Sequence, residues 1–223
     1  MISKVNFMKN IELILFDLDD TLISESKWYM DKWKKCDFYI EKKYNIVGFY
    51  EKIFQIIYQH GFDYPKKVDD ALVGLNAYSK NLVKEIVNYY LDVEVTPTIF
   101  PNTHYILKDL SKKFHLGIIT SGKKWEQELK IKLSGFEEYF SFIDIIENKS
   151  KTSSELFIKS LIFFNTIPEN TVYVGNDPFN DFIGAKNLKM KTIRILQGIH
   201  KNSVSINDAD FTYNSLEDFN NDF

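Results

Sequence analysis

Apolar and polar positions follow three successive rhythms along the chain. Residues 11–16, IELILF, are apolar at five of six positions and stop at three acids, Asp17, Asp19 and Asp20, followed by Thr21 and Leu22. A short apolar run ended by a polar turn predicts a strand buried on both faces, as in a parallel sheet. From Ser24 to about Leu91 no strand-like run occurs and the spacing is helical. Trp28, Trp33, Cys36 and Ile40 form one stripe, Tyr50, Ile53, Phe54, Ile57 and Tyr58 a second closed by Gly61, and Leu82, Ile86, Val87 and Tyr90 a third.

From Asn102 onward, helices and strands alternate. Ile106, Leu107, Leu110 and Phe114 predict one helix face, HLGIIT (115–120) a strand, and Trp125, Leu129 and Leu133 the inward face of the next helix. FIDII (142–146), TVYVG (171–175) and KTIRIL (191–196) predict further strands. A helix bearing Leu156, Phe157, Leu161 and Phe164 and another over 178–188 separate them, and a weak strand, DFTY, and a short helix from Ser215 end the chain. Strands spaced by helices of 10 to 15 residues predict βαβ units and a doubly wound parallel sheet, an α/β fold. The expected division is an α/β core from residues 1–22 and 97–223, interrupted by an all-helical domain over 23–96.

Composition sharpens this picture in few places. With 223 residues, 44% hydrophobic and 16% aromatic, the chain can bury one large core and a smaller second one. A net charge of −3 with both signs interleaved lacks the basic stripe that nucleic acid requires. Cys36 is the single cysteine, residues 1–10 carry no signal-like apolar core, and no run approaches the roughly 18 residues of a membrane span. A cytoplasmic protein without nucleic-acid or membrane partners is expected, monomeric or homodimeric.

The carboxyl ends of parallel strands are where open α/β sheets place ligands, so the acids after the first strand crowd a site-forming edge. Two carboxylates about 4 Å apart repel by about 4 kcal/mol at an effective dielectric near 20, so a proton or a cation must sit between them. Oxygen ligands with no nearby His or Cys favour Mg²⁺ over Zn²⁺. At the end of 115–120, Thr120, Ser121 and Gly122 place a hydroxyl and backbone N–H groups where a phosphate could be bound. Thr152 to Glu155 fit a T-x-x-E capping box, which sets Lys151 just before a helix; Lys149 is the other lysine in reach.

The segment FDLDDTL resembles the first signature of the haloacid dehalogenase superfamily of phosphotransferases and hydrolases. The resemblance implies a Rossmann-like core and a helical cap between the first and second motifs, opening and closing through linkers near 22–26 and 92–101. It implies Asp17 as nucleophile, Asp19 as general acid/base, Thr120 as the second motif and Lys151 as the third, with Phe157 at the family's spacing and Thr152 in place of the usual proline. VYVGNDPFNDFIGAKN resembles the fourth motif, with Asn176 where an acid often stands and Asp177 one place later. Metal ligands are then expected among Asp17, Asp19, Asn176, Asp177 and Asp181, with Asp177 preferred over Asn176, the Asp19 backbone carbonyl included, and Asp181 orienting water or Lys151. The implied activity is Mg²⁺-dependent hydrolysis of a small phosphorylated metabolite through an aspartyl phosphate. A sugar phosphomutase, a 2-haloacid dehalogenase and a catalytically silent binding protein are the alternatives.

Overall fold

The computed structural model describes residues 10–62, 64–147 and 151–222, so Lys149 lies outside the described residues. Six parallel strands form one sheet: β1 (Leu13–Phe16), β2 (His115–Ser121), β3 (Phe142–Ile146), β4 (Thr171–Gly175), β5 (Lys191–Ile195) and β6 (Phe211–Tyr213), in the order β3-β2-β1-β4-β5-β6. The order reverses at β1, which pairs with β2 on one side and β4 on the other. Such a reversal opens a crevice at the strands' carboxyl ends.

Alternation along β1 explains its unbroken apolar run. Ile14 and Phe16 enter a core with Ile118, Val172, Val174 and Ile193, covered by α5 (Thr103–Leu110) and α9 (Leu216–Asn220) and by Ile131 of α6 (Lys124–Ser134). Leu13 and Leu15 enter the opposite core, covered by α7 (Glu155–Phe164) and α8 (Phe182–Asn187) through Leu156, Phe157, Phe182 and Ala185. With helices on both faces, every β1 side chain is buried.

The chain divides into two compact units, 1–26 with 97–223, and 27–96. It leaves the sheet unit and re-enters it at one point, because Phe100 N–H donates to Leu22 O (3.1 Å) and Ser24 N–H donates to Thr98 O (2.8 Å). The second unit holds the rest of α1 (Glu25–Tyr44) and α2 (Phe49–His60), α3 (Lys67–Gly74) and α4 (Lys80–Asp92). Its core gathers Trp33, Cys36, Ile40, Phe49, Ile53, Ile57, Leu72 and Ile86, with Trp33 stacked on Tyr90 at 4.2 Å between ring centroids. Phe54 and Tyr58, predicted on the buried stripe of α2, are exposed. The stripe runs Phe49, Ile53, Ile57, and each of the two aromatics lies one position, about 100°, round from it.

Three other local expectations fail for one reason: a polar side chain finds a better partner than the local pattern offers. The N-cap of α7 is Ser154, two residues after the predicted Thr152. Helix α7 starts at Glu155, and Ser154, its N-cap, makes no side-chain cap bond; its Oγ donates instead to Gly184 O (3.2 Å). Helix α8 starts at Phe182 rather than 178, because the Asp181 carboxylate folds back onto the amides of Asn176 and Asp177 and closes a turn there. On α6, Trp125 is 41% exposed while Gln127, Lys130 and Ile131 are buried, so the predicted inward face is rotated away from the core.

Candidate active site

Register brings the chemical residues to one edge. Asp17 N–H donates to Val174 O at 2.8 Å, so the carboxyl ends of β1 and β4 lie side by side, and Asn176 directly follows β4 as Asp17 directly follows β1. A cavity of about 330 Å³ opens there, lined among others by Asp17, Asp19, Thr120, Ser121, Lys151, Asn176, Asp177 and Asp181. Thus most of the residues singled out in sequence share one cleft; Gly122 is not among its lining residues and lies in the turn after β2 instead.

At its base sits a buried triad. The Lys151 ammonium donates to an Asp17 carboxylate oxygen and, at 2.8 Å, to Asp181 Oδ1. Asp181 is itself fully used, its Oδ2 accepting the N–H groups of Asn176 (2.9 Å) and Asp177 (2.8 Å). Burial opposes a charge on Lys151, but Asp17 and Asp181 outweigh it and hold the ammonium well above its ordinary range. Burial raises the Asp17 carboxyl to about 7 despite Lys151 beside it, and Asp181 and Asp19 push in the same direction. Acidic side chains outnumber basic ones along the cavity wall, where Asp17, Asp19, Asp20, Glu25, Asp177 and Asp181 face Lys151 and His200, so the site is short of positive charge.

Backbone packing fixes Lys151. A Cβ at Gly184 would lie 2.5 Å from the Lys151 carbonyl oxygen and 2.9 Å from the Phe157 ring, so only glycine lets α8 come this close. Phe157 packs edge-on against Tyr173, with ring centroids 5.0 Å apart, and Tyr173 Oη donates to Ile119 O at 3.2 Å. The aromatic six residues after Lys151 thus anchors the start of α7 to β4.

The acids after Asp17 are held differently. Asp19 accepts from Lys130 Nζ at 2.8 and 2.9 Å and from Gln127 Nε2 at 2.7 Å. Asp20, left-handed at φ 54°, accepts the N–H groups of Glu25 (3.0 Å) and Ile199 (3.1 Å), tying the loop after β1 to the loop after β5. Gly198 is required opposite it, since any Cβ there would overlap the Asp20 carboxylate. Glu25, also on the cavity wall, is pushed up to about 8, first by burial and then by Asp19. Sequence reading missed Lys130, Gln127 and Glu25. The available signal was the run of polar residues Glu126, Gln127 and Lys130 on a helix that directly follows a site-forming strand.

Among the described residues no three His, Cys, Asp or Glu side chains form a ready cage for a metal. A hard cation that keeps part of its water shell needs only a few oxygens, and the cleft supplies Asp17, the loop of Asp19, Asn176 and Asp177. Asp177 spends its Oδ1 on Phe179 N–H (2.8 Å) and its Oδ2 on Asn180 Nδ2 (2.7 Å), whereas the neighbouring Asn176 side chain is buried against the cavity. The donor set and the charge deficit both fit a divalent ion.

Known proteins are similar to this chain over most of its length. The sequence profile of the haloacid dehalogenase-like hydrolases aligns with residues 14–195. A glyceraldehyde 3-phosphate phosphatase of Pyrococcus furiosus is 32% identical over 195 residues, 83% of this chain and 81% of that protein. One of the same name from Methanocaldococcus jannaschii is 31% identical over 93% of this chain and 95% of its own. The crystal structure of a HAD phosphatase from Thermococcus onnurineus, 23% identical, superposes with a TM-score of 0.62 over 95% of this chain and 97% of its own, and shares the fold. By sequence match and by architecture, the chain belongs to the haloacid dehalogenase-like hydrolase family.

Proposed function

We propose that the protein is a Mg²⁺-dependent phosphatase of small phosphate monoesters, with glyceraldehyde 3-phosphate, named for its relatives at 32% and 31% identity, as the first substrate to test. The observation that carries this reading is the buried Asp17–Lys151–Asp181 triad at the carboxyl ends of the strands. Asp17 attacks phosphorus, the bond to the leaving oxygen breaks, and Asp19 gives that oxygen its proton. Water then attacks the aspartyl phosphate; its proton passes to Asp19, and the electron pair of the broken bond returns to Asp17. Lys151 aligns Asp17 and takes up charge on the transferring phosphoryl group, while Thr120 and Ser121 receive its oxygens. Asp181 holds Lys151 in place. The helical unit is assigned substrate selection.

Asp17, the Asp19 carbonyl, Asn176 and Asp177 would hold the ion, which when bound neutralises phosphate charge and favours Asp17 as a carboxylate. A stability signature follows. Asp17 and Glu25 titrate near 7 and 8 in the fold instead of at their ordinary 3.8 and 4.5, so the native state binds more protons than the unfolded chain between these values. Their contribution is complete below the ordinary values and is lost as pH rises through 7 and 8. Mg²⁺ is therefore expected to raise the melting temperature of the full chain more at about pH 8 than at about pH 5, where protons already occupy the site. Equal stabilisation at both values would count against ligation at Asp17.

Asp19→Asn is expected to lower kcat by about 10² to 10⁴, the usual range for a general acid/base, with a smaller loss on esters whose leaving group needs no proton. Activity itself is tested with a panel of phosphorylated metabolites and Mg²⁺, using Asp17→Asn as the blank. Release of phosphate from none of them by the wild-type chain, with Mg²⁺ bound, overturns the phosphatase reading.

A further inference from the structure

Helix α6 turns a polar face inward behind the acids of β1, and it does so at a cost. Lys130 is 1% exposed, with Nζ 2.8 and 2.9 Å from the two Asp19 carboxylate oxygens. Gln127, one turn earlier, donates from Nε2 to Asp19 Oδ2 and to the Ser121 carbonyl, both at 2.7 Å. Its Oε1 is buried and has no hydrogen-bond partner among the described residues, so an acceptor is sacrificed to keep the amide in this orientation. Gly122, at φ 147°, makes room, because a Cβ there would lie 2.6 Å from Gln127 Nε2. Trp125, which an apolar contact would draw inward, is left exposed instead.

Two of the three acids that follow β1, Asp17 and Asp19, are thus served by separate lysines. Lys151 pairs with Asp17, from the loop before α7, and Lys130 pairs with Asp19, from α6. Removal of one leaves the other pair in place.

We infer that Lys130 and Gln127 are positioning residues for the second half of the reaction, holding the Asp19 carboxylate in the orientation from which it takes a proton from the attacking water. This rests on the reading of Asp19 as the general acid/base. In that half-reaction a water O–H bond breaks toward Asp19, the water oxygen bonds phosphorus, and the bond from phosphorus to the Asp17 oxygen breaks with its electrons returning to Asp17. An Asp19 held at both oxygens by two fixed donors has little rotational freedom, and such orientation is what makes a base efficient.

The test is stopped-flow kinetics of the full chain with p-nitrophenyl phosphate and Mg²⁺. Lys130→Met is expected to lower kcat by about 10- to 100-fold with KM falling in proportion, so that kcat/KM stays within about twofold, and to release a burst of nitrophenolate stoichiometric with enzyme as the aspartyl phosphate accumulates. Lys130→Arg is expected to restore most of the rate, which a merely space-filling role would not produce. Gln127→Ala removes the second donor and should give a smaller burst of the same kind, keeping the test open if Lys130→Met does not fold. Wild-type kcat in Lys130→Met, a loss confined to KM, or a loss without a burst overturns the inference. Asp19→Asn separates the two claims. If it is impaired while Lys130→Met behaves as wild type, only the positioning role fails; if Asp19→Asn itself turns over at the wild-type rate, the acid/base reading fails.

Discussion

Asp17→Asn is expected to reduce turnover by about 10⁴-fold or more while the chain stays folded, because an amide cannot displace the leaving oxygen. The fold should tolerate the change. Asp17 is 3% exposed, and burial already disfavours its charged form strongly enough to move its titration to about 7. An amide of nearly the same shape carries no such penalty. The metal-free variant is therefore expected to lose its share of the decline in stability with rising pH that the wild type shows up to about pH 7. Circular dichroism melts across pH and phosphate-release assays check both halves. Substantial turnover in a well-folded Asp17→Asn would remove Asp17 from the nucleophile's place.

Lys151→Met has the second largest expected effect, and it strikes stability as well as rate. Lys151 is 6% exposed and is the shared donor to Asp17 and Asp181, so its removal leaves two buried carboxylates facing each other without a counter-charge. Removing one partner of a buried ion pair costs about 3 to 5 kcal/mol, and the rate should fall by about 10³-fold with the loss of charge stabilisation on the phosphoryl group. Lys151→Met combined with Asp17→Asn is expected to recover part of the stability and none of the rate, because the coupling between contacting residues is non-additive. Equal destabilisation in the single and double variants would mean that Lys151 acts through packing and not through charge.

Legibility from sequence followed the strength of local signals. Strands such as LILF and TVYVG are continuous apolar runs that could be buried only between two helical layers, and parallel pairing then fixes which loops meet. Pattern thus put Asp17 at a site-forming edge, and the resemblance of VYVGNDPFNDFIGAKN to the family's fourth motif brought Asn176 and Asp177 to the same edge. Side chains whose partners are distant were illegible. The polar run Glu126, Gln127 and Lys130 signals a polar inward face but does not mark Lys130 as the partner of Asp19, 111 residues away, and apolar periodicity pointed to Trp125 and Leu129 as the inward face. An ion pair with Asp19 outweighed the burial of one aromatic ring. Helix α7 begins after Ser154, whose hydroxyl bonds Gly184 O, and not after Thr152 as predicted, and Asp181 turned a predicted helical turn into a loop closure. Local propensity set the elements; buried polar partners adjusted their ends and rotations.

The central claim, a covalent phosphoryl group on Asp17, is tested most directly by quenching the wild-type chain during turnover, reducing it with borohydride and mapping its peptides by mass spectrometry. An acyl phosphate is reduced to the alcohol, so homoserine at position 17, absent from a sample without substrate, is the predicted result. Homoserine at another acid, or unmodified Asp17 in a Lys130→Met sample that shows a stoichiometric burst, would contradict the account.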